Sequence, residues 1–130
     1  MDNSKSASML RLAHIDFKAM HAMLDVEAFD EAIFGFHAQQ AIEKALKAWL
    51  HGLGQDVLRT HDLTELLKAL RRTSIDVAPY LPLAEFTIFA VQARYEEGIV
   101  TPADPLDRPA VVAEVGALLA HVERELTSAA

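Results

Sequence analysis

From Val26 to Leu53 the chain runs without proline, and its apolar residues return at the spacing of a helix. On a wheel of about 100° per residue, Ala38, Ile42, Ala45, Leu46, Trp49 and Leu53 fall on one side. His37, Gln40, Lys44, Lys47 and His51 fall on the other. No stretch of the chain alternates with period two between turn signals, so nothing reads as a strand. A long two-faced helix with no sheet to lie on must find its apolar cover in other helices.

The rest of the pattern supplies them. A first helix is expected from about Lys5 to Leu24, with Met9, Ala13, Phe17, Met20 and Leu24 on one stripe. Asp25 is the expected N-cap of the long helix, and Gly52 and Gly54 its stop signal. Thr60 or Asp62 caps a third helix through Arg72, with Glu65 at capping-box spacing from Asp62. Lys68, Arg71 and Arg72 crowd its C-terminal end, where the helix dipole favours cations. Pro79 and Pro82 mark a break, and a fourth helix is expected from about Leu83 to Tyr95. Glu96 to Asp107 reads as a loop. Asp107 caps a last helix that carries Pro109 in its first turn and Val111, Val115, Leu118, Leu119, Val122 and Leu126 as its stripe. The expected fold is an all-α, up-and-down antiparallel bundle of about four long helices plus a shorter one, forming a single domain over residues 1–130.

Composition narrows the chemistry. With no cysteine, thiolate metal sites, disulfides and a cysteine nucleophile are excluded, and a cytoplasmic setting is expected. No apolar run is long enough to span a bilayer, so no membrane contact is expected. The net charge of −7 is uneven: residues 44–72 carry +3, and residues 73–130 carry −6. Overall acidity disfavours broad nucleic-acid binding and makes RNA an unexpected partner, while a local basic patch still suits a single nucleotide.

Catalytic templates are missing. His14, Lys18 and His21 share a face of the first helix, but no His-Glu-x-x-His pattern occurs, and no metal site is expected. Glycine-rich phosphate loops and nucleophile elbows are absent. Glu96 and Glu97 read as solvated carboxylates. Ile15 and Phe34 look exposed and point to self-association as a homodimer.

Several residues together carry a resemblance. The run Phe36-His37-Ala38-Gln39-Gln40-Ala41-Ile42-Glu43-Lys44-Ala45-Leu46-Lys47-Ala48 is followed by Leu53-Gly54, by Thr60-His61-Asp62-Leu63 and by Arg94-Tyr95. With these motifs the chain resembles the HEPN domain, the "higher eukaryotes and prokaryotes nucleotide-binding" family. The resemblance implies a helical bundle that is frequently dimeric. It also implies a gene often set beside a small nucleotidyltransferase in a toxin–antitoxin-like pair. Some branches of the family are metal-independent ribonucleases with an Arg, four to six residues, then a His. Here Arg94 has no histidine in that window, and Arg11, Arg59, Arg71, Arg72 and Arg108 have none at that spacing.

The expectation is therefore a nucleotide-binding or accessory module, leaning away from an enzyme, with no required cofactor beyond a nucleotide ligand. Its binding residues would be His37, Gln40, Lys44, Lys47, His61, Arg94 and Tyr95, the cations neutralising phosphate and Tyr95 stacking on a base. Two alternatives stand beside it. One is a ribonuclease toxin with a rearranged site, Arg94 holding phosphate and His61 or His37 as base. The other is a dimeric interaction scaffold without ligand.

Overall fold

The computed structural model describes residues 4–92 and 105–128, and among them every regular element is helical. The elements are α1 (Ser4–Ala22), α2 (Glu31–Gly52), α3 (Leu63–Arg72), a 3₁₀ segment (Ala78–Ile88), a single turn α4 (Phe89–Gln92) and α5 (Arg108–Ser128).

Contacts between remote residues set the directions. Ser6 lies by Gly52, and Asp16 bonds His37 and Lys44, so α1 and α2 are antiparallel. Arg108 lies over Phe34 and Leu126 beside Gly52, so α5 runs parallel to α2 and antiparallel to α1. The 3₁₀ segment starts with Tyr80 against Trp49 and leads to Phe89 against Gly35, so it returns antiparallel to α2. These four members make the up-and-down bundle. α3 is the extra, shorter helix: the chain doubles back after Gly54, places His61 beside Gln39, and then runs parallel to α2.

Local chemistry explains most boundaries. α2 stops because Gly54, at φ 73°, takes the left-handed conformation that lets the Gly54 and Gln55 amides bond back to His51 and Leu50. Asp62 caps α3 by accepting from the Thr64 amide. The reciprocal half of the expected capping box is replaced: the Asp62 amide donates to Thr60 Oγ1, and Glu65 lies 3.5 Å from Lys68. α3 ends on Ser74, a non-glycine residue at φ 70°, with Ile75 N bonding back to Leu70 O. Asp107 Oδ1 accepts from Ala110 N at the start of α5, as expected.

Three expectations are corrected. The long helix begins at Glu31, not Val26, and its N-cap is Asp30. Asp25 instead closes a tight turn onto Glu27 N. The cause is Arg108, whose buried guanidinium donates to the carbonyls of Met23, Asp25 and Phe29 and lies over the Phe34 ring. Those carbonyls hold the incoming chain in a loop. The fourth helix is a 3₁₀ run with a single α turn over the described residues, because Pro79 and Pro82 have no amide to give to an α ladder. Phe34 is fully buried, whereas Ile15 is 64% exposed.

The core joins Met20, Phe34, Ile42, Leu46, Trp49 and Leu50 to the leucines of α3, Phe86 and Phe89, and the α5 stripe. Leu53 and Leu24, expected on buried stripes, sit beyond the helix ends and are exposed. Gly35 has no side chain because the Phe89 ring occupies the space a Cβ would fill.

Candidate functional site: a clamped polar ridge

The helix period places His37, Gln40, Lys44 and Lys47 on one ridge of α2, and the fold brings two buried carboxylates to them. Asp16, from α1, accepts from His37 Nδ1 at 2.9 Å and Lys44 Nζ at 2.6 Å. Glu43, on α2 itself, accepts from Gln39 Nε2 at 2.9 Å, His61 Nδ1 at 2.8 Å and Lys47 Nζ at 3.0 Å. Gln39 also donates to the His61 carbonyl, and its own Oε1 accepts from Gln40 Nε2. The result is two copies of one arrangement: a carboxylate holding a lysine and a histidine.

Burial pushes the Glu43 carboxyl up, but hydrogen bonds from Gln39, His61 and Lys47, together with the Lys47 charge, outweigh it and hold the group below its ordinary value. His51, one turn beyond Lys47, is pushed down by burial and by the charges of Lys5 and Lys47, which favours its neutral form.

The arrangement brings together five of the expected site residues: His37, Gln40, Lys44, Lys47 and His61. Arg94 and Tyr95 lie outside the described residues. The lysines are not the free cations that a solvated ridge would carry. Lys47 keeps only 13% of its side chain exposed, and its charge is matched by Glu43 as that of Lys44 is by Asp16. The open group is His61, with 56% of its side chain exposed and Nδ1 held by Glu43. Such anchoring fixes the imidazole's orientation and turns its other nitrogen away from the carboxylate.

Asp16 was not singled out from the sequence, and Gln39 and Glu43 entered only as members of the HEPN-like run, not as site residues. A signal was present, since Asp16 interrupts the apolar stripe between Ala13 and Met20. Arg108 was read only for its spacing to histidine. His14 and His21 are exposed on α1, His14 3.8 Å from Glu123 and His21 bonded to the Phe17 carbonyl. Among the described residues no group of three His, Asp or Glu side chains could hold a metal ion.

An all-helical bundle with this ordered His/Lys/carboxylate ridge defines a class of small helical modules. The HEPN domain model matches residues 6–124, and the chain belongs to the HEPN family. At the family level this makes it a module of the nucleotide-binding or ribonuclease type. No curated protein matches the chain, and no solved structure matches it. Among the described residues no helix is long and apolar enough to cross a membrane.

Proposed function

We propose that the protein is a HEPN nucleotide-binding or accessory module working beside a small nucleotidyltransferase in a toxin–antitoxin-like pair, in the cytoplasm and as a homodimer. The observation that carries the nucleotide reading is His61, held at its Nδ1 by buried Glu43 and open to solvent, with Lys47 on the same carboxylate. With Nδ1–H committed to Glu43, the neutral imidazole presents Nε2 as an open acceptor, and a partner group already held in place costs little further ordering when a nucleotide hydroxyl or amine arrives. Ile15 and Leu12, both exposed on α1, support the dimer.

The test is calorimetric titration with ATP of the parent chain and of His61→Ala and Gln40→Ala. Each change removes a polar ridge group while leaving the buried lysine–carboxylate pairs in place. The expected outcome is an affinity about tenfold weaker in His61→Ala with the helical spectrum intact. Unchanged affinity removes the ridge as the site. Sedimentation at micromolar concentration is expected to give a dimer, and a 14.3 kDa monomer would overturn that part. Co-purification with the product of an adjacent nucleotidyltransferase frame tests the partner.

A second reading, the ribonuclease with a rearranged Arg/His site, draws on the same pair. A histidine oriented by a buried carboxylate is the arrangement a general base requires. Incubation with total RNA, with and without a chelator, separates the readings. Cleavage that vanishes in both Arg94→Ala and His61→Ala would replace the binding module by the nuclease.

A further inference from the structure

On the face of α2 opposite the ridge, a cleft of about 330 Å³ opens between α2, the start of the 3₁₀ segment and α5. Its lining includes the side chains of Trp49, Ser74, Asp76, Tyr80, His121 and Glu125. Three of these are aromatic rings in mutual contact. Trp49 stands edge-on to Tyr80 at 6.0 Å and to His121 at 5.1 Å, while Tyr80 and His121 are tilted by 42° at 5.8 Å. Two are carboxylates: Asp76 is exposed, and Glu125 is 3.5 Å from His121 Nε2. The Trp49 indole N–H is buried with no hydrogen-bond partner among the described residues, although Trp49 itself is only 2% exposed. A buried donor left unmet is costly, and this one belongs to a ring that lines the cleft.

We infer that this cleft is a binding site for a guanine-type base, separate from the polar ridge. The chemistry selects the ligand in three ways. Tyr80 and His121 offer ring faces for a flat heterocycle to stack on. The carboxylates of Asp76 and Glu125 can accept from adjacent N–H groups on one edge of that heterocycle, which guanine presents as its ring N–H and its exocyclic amine. The unmet indole N–H calls for an acceptor, which guanine carries in its carbonyl oxygen and imidazole nitrogen. Adenine has only its exocyclic amine to donate on that edge and a ring nitrogen that accepts, so it serves one carboxylate and sets a lone pair against the other. The carboxylates also repel a free phosphate, which distinguishes this cleft from an anion site.

The site stands or falls independently of the ridge. The chain has a single tryptophan, so a proton–nitrogen spectrum of the full chain carries one indole resonance, and that resonance is the reporter. Titration with guanosine is expected to move it downfield and saturably, as the N–H gains an acceptor. Adenosine is expected to bind at least tenfold more weakly, and inosine, which lacks the exocyclic amine, between the two. The double change Asp76→Asn with Glu125→Gln is expected to weaken guanosine at least tenfold without altering the helical spectrum, since both residues are exposed and Asn keeps the Oδ1 that accepts from Ala78 N. An unmoved indole resonance at millimolar guanosine, equal response to guanosine and adenosine, or full binding by the double variant would each overturn the inference. Loss of ATP binding in His61→Ala alongside an unmoved indole would sink the cleft and leave the ridge standing. A saturating guanosine response without ATP binding would do the reverse.

Discussion

The two faces of α2 follow one helical period, and they are held by different physics. On one face Ile42, Leu46 and Trp49 are buried in a continuous apolar core, where any well-shaped neighbour contributes. On the other, Lys44 and Lys47 are largely covered too, but each depends on a particular carboxylate: Asp16 from α1 or Glu43. The apolar face tolerates approximate partners, whereas the polar face needs one acceptor at one distance. A buried pair broken on one side leaves an uncompensated charge.

Charge reversal breaks the comparison most forcefully. Wheel geometry alone predicts that Lys44→Glu with Lys47→Glu leaves the fold intact, because both positions lie opposite Trp49. The structure reverses that expectation. Each glutamate would face Asp16 or Glu43 across roughly the former pairing distance, and loss of one buried partner alone costs about 3–5 kcal/mol. The double variant is expected to be largely unfolded by circular dichroism. A native spectrum with unchanged denaturant midpoint would show that the clamps contribute nothing.

Next in size is the apolar face. Trp49→Ala is expected to cost about 3–5 kcal/mol in denaturant unfolding, by lost burial and the cavity left behind. Trp49→Phe should cost clearly less, because a ring still fills most of the space and the N–H it gives up has no partner to lose.

Acid sharpens the contrast, because the polar face of α2 carries titratable side chains and its apolar face carries none. Glu43 is held below its ordinary value in the folded chain, so its contribution is complete above the unfolded value near 4.5 and is lost as pH falls through the lowered folded value. His51 is also lowered, so its contribution is complete above about 6.5 and declines as pH falls from there. Stability should therefore begin to fall below about pH 6.5 and fall further below about pH 4.5. Glu43→Gln is expected to remove the second decline while keeping the first. A Glu43→Gln acid limb identical to the parent's would refute the assignment.

The smallest effect belongs to a helix end far from both faces. Asp62→Ala removes the cap of α3 and should cost about 1 kcal/mol, measured by the same unfolding midpoint.

Much of the fold was legible because helices are local. The Gly54 stop, the Asp62 and Asp107 caps and the α5 stripe rest on residues within a few positions of one another. Failures came where a remote group intervened. Asp25 looks like a cap until Arg108, far along the chain, takes the carbonyls around it. Phe34 looks exposed by spacing until that guanidinium lies over its ring. The site shows the same division: its ridge was legible on α2, but the acceptors that order it were not.

By itself the sequence determined the helical class, the apolar faces, most helix ends and the membership implied by the His37-to-Lys47 and His61-Asp62-Leu63 motifs. These depend on backbone period and short-range hydrogen bonding, which a string of residues already contains. Only the tertiary structure decided that α3 runs parallel to α2, that Asp16 and Glu43 each bind a lysine and a histidine, and that Trp49, Tyr80 and His121 share a cleft. The physical reason is distance: a charge or an unmet N–H acts over a few ångströms, and folding chooses which remote residues stand within them.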